Sequence, residues 1–187
     1  DWSVQQRAKK LSKYVDGQFY ATDFYSKRAL AIQDSCIFGT GALQIFRDEK
    51  EIKAERVFID ELTVDENEAL YGEVKTLYRT KHIHVDVLKA MFPDKAAQIE
   101  IAASPEESEW ATGSAKTRTQ MLKVVESWKL PSKKGAKDGK HAIVLSNVEL
   151  FSEPYNRMRF PFVFWRWGVR PIGFWGQGVA EQLTGIQ

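Results

Sequence analysis

The sequence predicts an α+β fold in which N-terminal helices pack on a mostly antiparallel sheet, and three observations carry that prediction. Helical and strand patterns are segregated: two helical stretches open the chain, extended stretches fill its middle, and a helical stretch closes it. Met121 to Leu130 and His141 to Leu150 read as strands joined by PSKKGAKDGK, a glycine-containing basic hairpin link. The third is the aromatic run Phe160 to Trp167. It sets Phe160, Phe162, Phe164 and Arg166 on one side and Pro161, Val163, Trp165 and Trp167 on the other, the pattern of a strand covered on both faces.

The elements follow in order. Ser3 is placed to cap a first helix with Val4, Ala8, Leu11 and Val15 at helical spacing, ended by Asp16-Gly17. A second helix is expected from Thr22 to Phe38, with one stripe of Phe24, Ala31, Ser35 and Phe38 and another of Tyr25, Ala29, Ile32 and Cys36. Gly39-Thr40-Gly41 breaks it and begins the strand ALQIFRD, with a hairpin turn at Asp48-Glu49-Lys50 and extended chain again from Glu55 to Ile59. The acidic stretch from Asp60 to Glu68 reads as a surface loop. Glu73 to His84 reads as a strand, and Val85 to Phe92 as a short inserted helix stopped by Pro93. Lys95 to Ile101 adds a turn or two. Ala102 to Gln120 has little periodicity and is expected to be a mobile loop. Phe151 to Arg159 crosses to the aromatic strand. After it come Pro171, Gly173, Gly176 and Gly178, and then a helix with Val179, Leu183 and Ile186 on one face.

Composition bounds the rest. A length of 187 residues fits a single domain, 1–187, able to bury roughly 70% of its unfolded surface. The hydrophobic share of 43% and charged share of 28% are those of a globular protein. A net charge of +2, from 27 basic and 25 acidic residues, is too balanced for a dedicated nucleic-acid binder. Cys36 is the only cysteine, which rules out an intrachain disulfide. No stretch is long and apolar enough to imply a membrane span, so no membrane partner is expected. A start at Asp1 and a final helix that stops without a cap suggest an excised piece of something larger.

The candidate sites divide into weak chemical readings and one structural one. His82 and His84 with Asp86 would form a metal trio if the strand ran on through them, but a helix start near Val85 removes Asp86 from that face. His141 has no partner in sequence, and Cys36 fits a small core hydrophobe better than a nucleophile. The acidic stretch lacks the spacing and central glycine of a calcium loop. Gly173, Gly176 and Gly178 precede a helix but lack the Lys-Ser/Thr of a phosphate loop, so an elbow that re-aims the chain is the favoured reading. Lys133, Lys134, Lys137 and Lys140 form the clearest lysine cluster, a candidate DNA-phosphate contact set against ordinary hairpin-tip solvation. Trp165 and Trp167 offer stacking surfaces for bases, although proline-flanked strands apolar on both sides are more often core or subunit interface. No cofactor is expected.

Several segments in order resemble one family. The aromatic strand leading to FWGQGVAEQLTGIQ is similar to the entry of the stem helix in portal (head-to-tail connector) proteins of tailed bacteriophages. SKRALAIQDSCIFGTGALQIFRD resembles the family's helix-then-strand segment, VFID the stretch before an acidic loop, LYRTKHIHVDVLKAMFP a strand and short helix, and ESWKLP a tryptophan-containing hairpin. The resemblance implies a wing region running into the first turns of a long stem helix, with Gly176, Gly178, Ala180 and Leu183 as elbow and subunit interface. It implies a homo-oligomeric ring, dodecameric in full-length relatives, at the portal vertex of the virion and assembled in the host bacterial cytoplasm. Its partners would be the terminase motor, scaffold or capsid protein, head-completion adaptors and the double-stranded DNA packaged and ejected through the ring. A nucleic-acid-binding α+β module using the basic hairpin and aromatic strand is the alternative, and an enzyme built on His82 and His84 a third. No glycine cluster here is followed by Lys-Ser/Thr, so purified protein should show no ATPase activity. A turnover that survives stringent purification and vanishes with a point mutation would contradict this.

Overall fold

Two helices open the chain, α1 (Trp2–Ala21) and α2 (Phe24–Phe38). α1 runs on through Asp16-Gly17, where the sequence suggested its end. Nothing in α1 is buried, and a Cβ at Gly17 would meet nothing within 4 Å, so this glycine costs only its helix propensity, about 1 kcal/mol. The break comes at Asp23, whose φ of 51° is left-handed, a conformation Asp tolerates better than most side chains. α2 ends at Gly39, with φ 84°, in the left-handed cap that favours glycine. The computed structural model describes residues 2–48, 51–103 and 120–184. Within them the chain divides into two compact units, Asp1–Asp60 with Pro161–Gln187, and Glu61–Phe160.

The first unit sets α2 on a three-stranded sheet of order β2-β1-β8, made of β1 (Thr40–Asp48), β2 (Glu51–Val57) and β8 (Phe162–Arg166). Both pairings are antiparallel, with Leu43 opposite Arg56 on one side and Val163 on the other. Glu49 and Lys50 of the expected turn lie outside the described residues. The helix is seated so closely on β1 that a Cβ at Gly41 would sit 2.7 Å from the carbonyl carbon of Ala31 and closer still to its oxygen. α2 buries Ala31, Asp34 and Ser35 and leaves Ile32, Ile37 and Phe38 exposed, so neither apolar stripe is covered whole. Buried Asp34 accepts two hydrogen bonds from Arg56, at 2.6 and 2.5 Å, and this pairing holds the guanidinium above its ordinary pKa. β8 departs from the expectation of cover on both faces. It lies at the sheet edge, paired on one side only, with β1, and while Phe162 is buried, Val163 is 40% exposed and Trp167, just beyond the strand, 53%.

The second unit is a five-stranded antiparallel sheet of order β3-β4-β5-β6-β7: β3 (Leu62–Val64), β4 (Thr76–His84), β5 (Met121–Lys129), β6 (Lys140–Leu145) and β7 (Val148–Pro154). The acidic stretch is not a simple surface loop. It holds a 3-10 turn (Ile59–Glu61), β3 and α3 (Glu66–Tyr71), and Asp65 caps α3 by accepting from the backbone N–H groups of Asn67 and Glu68. Glu68 in turn accepts from the backbone N–H groups of Lys75 and Thr76, both at 2.8 Å. Three residues are too few to display a period, which hid β3; its Leu62 and Val64 point inward. The expected strand His141 to Leu150 is two strands. The chain reverses at Ser146, φ 49°, and Asn147, so that Leu145 pairs with Val148. A bulge between Ile143 and Val144 breaks the alternation that would have marked the hairpin.

α4 (Val85–Met91), a 3-10 turn (Pro93–Lys95) and α5 (Ala96–Ala102) supply Val85, Leu88, Ile99 and Ala102 to a core shared with Leu122, Val124, Leu145 and Leu150. Residues 104–119, the bulk of the expected mobile loop, lie outside the described residues. The fold is α+β, and every described strand pairing is antiparallel, as the sequence predicted. Because Gly17 sits in open space and Gly41 under α2, alanine should act oppositely at the two. Gly17→Ala should raise stability by up to about 1 kcal/mol, and Gly41→Ala should lower it by about 1–3 kcal/mol. Thermal or denaturant unfolding of the two variants checks both signs.

Candidate functional site

The elbow is built where four chain segments of the first unit meet. β8 runs antiparallel to β1 as far as Thr40 opposite Arg166, and the next residue, Trp167, donates its N–H to the carbonyl of Gly39 at 3.0 Å. The chain then loops out and returns. Gly168 and Gln177 exchange backbone hydrogen bonds at 3.0 and 2.8 Å, closing the loop at its base. Phe174 folds back from the loop, edge-on to Phe164 at 5.1 Å, and its carbonyl accepts from Arg166 Nε at 2.7 Å while its ring lies under the guanidinium. Packing of the guanidinium on Phe174 partly desolvates it and lowers its pKa, although Arg166 as a whole is exposed. Gly176 then donates its N–H to the hydroxyl of Thr40 at 2.7 Å in a buried hydrogen bond. α6 (Val179–Leu183) begins after Gly178, whose carbonyl accepts from the N–H of Gln182.

The two candidate glycines are therefore needed for space and not for backbone angle. Neither has a positive φ; in this loop only Gly173 does, at 98°. A Cβ at Gly176 would stand 2.9 Å from the carbonyl oxygen of Gly168 and nearer to that of Gly39. At Gly178 it would stand 2.8 Å from the nitrogen of Gly39 and 2.9 Å from the carbonyl carbon of Ile37. Gly39 faces the same restriction from its side, with 2.7 Å to the carbonyl carbon of Gly176. Three glycines thus let the end of α2 and the approach to α6 touch backbone on backbone. Ala180 and Leu183 are exposed on α6, and Arg170 forms an ion pair with Glu181.

The lysine cluster belongs to the second unit. Lys133, Lys134 and Lys137 are exposed, with no ion pair among the described residues, whereas Lys140 pairs with Glu149 at 2.7 Å and pulls that carboxylate below its usual range. Asp138 does not simply offset the lysines. It accepts from the backbone N–H of Ser132 at 3.0 Å, which lowers its pKa, and Lys75 donates to the Ser132 carbonyl, so the tip is held in shape.

Two of the three histidines have structural roles. His84 caps α4, its Nδ1 accepting from the N–H of Asp86, so the strand does end there and the metal trio does not assemble. Among the described residues no group of three His, Cys, Asp or Glu is placed to hold a metal ion. His141, without a partner in sequence, stacks on Trp128 at 5.2 Å and bonds Glu126 and Glu153 through its two ring nitrogens. Strand pairing makes these contacts, and pairing is what the local pattern withholds. Cys36 is a free thiol of intermediate exposure.

Residues 3–185 match the family described as bacteriophage head to tail connecting protein. The chain belongs to that family. Membership of the head-to-tail connecting proteins makes its role structural, at the junction of phage head and tail in the virion, among other head and tail proteins. No curated protein matches the chain. Among the described residues of this connector no helix is long and apolar enough to cross a membrane.

Alanine at Gly176 or Gly178 puts a methyl group against backbone, where nothing flexible can yield. Each substitution should cost about 1–3 kcal/mol, so a bulkier residue there would disturb the first unit as well as the elbow. Gly173→Ala, strained but unobstructed, should cost about 1 kcal/mol. Thermal unfolding of the three variants checks the ranking, and equal losses at all three would contradict the steric account.

Proposed function

We propose that this connector is the wing region of a portal protein, with the elbow handing the chain to a stem helix that begins at Val179. The observation that carries the reading is the family match along residues 3–185, and the elbow supports it. A portal must hold its stem helix at a fixed angle, and backbone contact at Gly39, Gly176 and Gly178 supplies a stiff joint for that purpose. Ile37 and Phe38 at the end of α2, 47% and 52% exposed, and Leu183 on α6 offer apolar surface on either side of the joint for a neighbouring subunit. On this reading the protein forms a homo-oligomeric ring at the capsid vertex. It meets the packaging motor, scaffold or capsid protein and adaptor proteins there, and double-stranded DNA passes through it in packaging and ejection. Its activity is mechanical, with no substrate turned over.

The second reading, a nucleic-acid-binding module, is favoured by exposed Lys133, Lys134 and Lys137 and by half-buried Trp165 on the edge strand. The two readings separate in one set of measurements on the full-length protein. Gel filtration and negative-stain microscopy should show closed rings, with ring yield reduced by Gly178→Ala and unaffected by the triple change Lys133→Glu, Lys134→Glu and Lys137→Glu. A monomer that binds DNA, and loses that binding and its salt dependence with the triple change, would replace the portal reading by the second.

A further inference from the structure

Around His141 the buried face of the second sheet carries charges in place of hydrophobes. In β4 and β5 the register puts Arg79 opposite Glu126 and Leu77 opposite Trp128; Trp128 faces His141 of β6, which faces Glu153 of β7. Arg79 is 1% exposed and pairs with Glu61 at 2.7 Å. His141 lies 2.9 Å from a carboxylate oxygen of Glu126 through Nε2 and 2.9 Å from one of Glu153 through Nδ1. Its ring is stacked on Trp128 and has the rings of Phe151 and Tyr155 at its edge.

The two equal distances constrain the protons. A neutral imidazole has one N–H and one bare nitrogen, and the bare nitrogen would face an ionised carboxylate, lone pair to lone pair. Both contacts become hydrogen bonds only when the triad holds one proton more, which places the positive charge on the ring between two carboxylates. The other titratable groups facing this site do not supply that proton. Arg79 pairs with Glu61, Tyr155 donates its hydroxyl to the carbonyl of Arg159 at 2.8 Å, and Arg157 acts on Tyr155. Burial lowers the pKa of His141, but the hydrogen bonds to Glu126 and Glu153 outweigh it, and the net shift is upward. Tyr155 is itself raised, by burial, and so stays a neutral donor.

We propose that His141 is a proton-operated latch that ties β7, an edge strand of this sheet, to β5 through an imidazolium bridge between Glu153 and Glu126. With the proton on, three strands are joined by charge-assisted hydrogen bonds. With it off, one carboxylate loses its donor and the bridge from β7 to β5 is broken, leaving β7 its backbone pairing with β6, the Lys140–Glu149 ion pair and the core contacts of Leu150. The sign follows from the upward shift. The bridge contributes fully below the ordinary histidine pKa of about 6.5 and is lost as pH rises through the higher folded-state value. The window therefore opens above the ordinary histidine value.

The test follows the His141 ring carbon–proton resonance against pH in the full chain, with hydrogen exchange of the β7 amides at about pH 6 and about pH 8.5 after correction for intrinsic rates. His141 should titrate above the ordinary histidine value, and β7 should lose protection at the higher pH. Glu153→Gln, at a half-exposed edge position, should lower the His141 midpoint, and His141→Gln should abolish the pH dependence of β7 exchange. Should His141→Gln fail to fold, the midpoint in Glu153→Gln still decides. A His141 midpoint at or below the ordinary value, a midpoint unmoved by Glu153→Gln, or β7 exchange with unchanged pH dependence in His141→Gln would each overturn the latch.

Discussion

Backbone touching backbone at Gly39, Gly176 and Gly178 is the constraint on which the first unit depends. A close approach of this kind needs both partners to lack side chains and needs their polar groups satisfied, since dry backbone groups are costly to leave unpaired. Both conditions are met. Trp167 donates to the Gly39 carbonyl, and the Thr40 hydroxyl accepts from Gly176. The same few residues cap α2, start β1, end the pairing of β8 and set the direction of α6, so no one of these elements can shift alone. Gly41 extends the tight contact one step further by seating α2 on the sheet.

The second unit solves its packing in two halves. Toward α4 and α5 the sheet is conventionally apolar, with Leu122, Val124 and Leu145 under the helices. Toward Arg79, Glu126, His141 and Glu153 it is ionic. Buried ion pairs contribute little net stability against apolar substitutes, but removing one member is expensive because the other is left unpaired. Such a row fixes register, since a slip of one residue would turn Arg79 and its partners to the opposite face.

The sequence showed those parts of the molecule that depend on near neighbours. Long periodic segments such as α2, β1 and β5 were legible, as was the helix start at Val179, because local pattern is enough to reveal them. The elbow was legible as a glycine cluster but not as a steric joint, because the atoms that forbid a side chain at Gly178 belong to Ile37 and Gly39. His141 failed for the same reason, its partners lying on two other strands. The acidic stretch misled because Glu61 and Glu68 look solvated when read alone; each is bound by a group from β4 or the segment leading into it. Asp34 was hidden inside an apolar helix pattern, with Arg56 as its only explanation.

The order in which the first unit becomes available has a consequence for its synthesis. Its first part ends at Asp60 and its last part begins at Pro161, with the whole second unit encoded between them. Thr40 must wait for Gly176, which is 136 residues later in the chain. At ribosomal rates of about 5–20 residues per second that is a delay of roughly 7–27 s. During it β1 has one edge unpaired, and Gly39 and Gly41 stand without the strand and loop that complete their surroundings. The second unit has no such wait, being continuous, and is free to fold as it emerges. An open edge in a nascent chain is a site for mispairing with other chains, so the late arrival of β8 makes the interval in which the second unit is synthesised the vulnerable one.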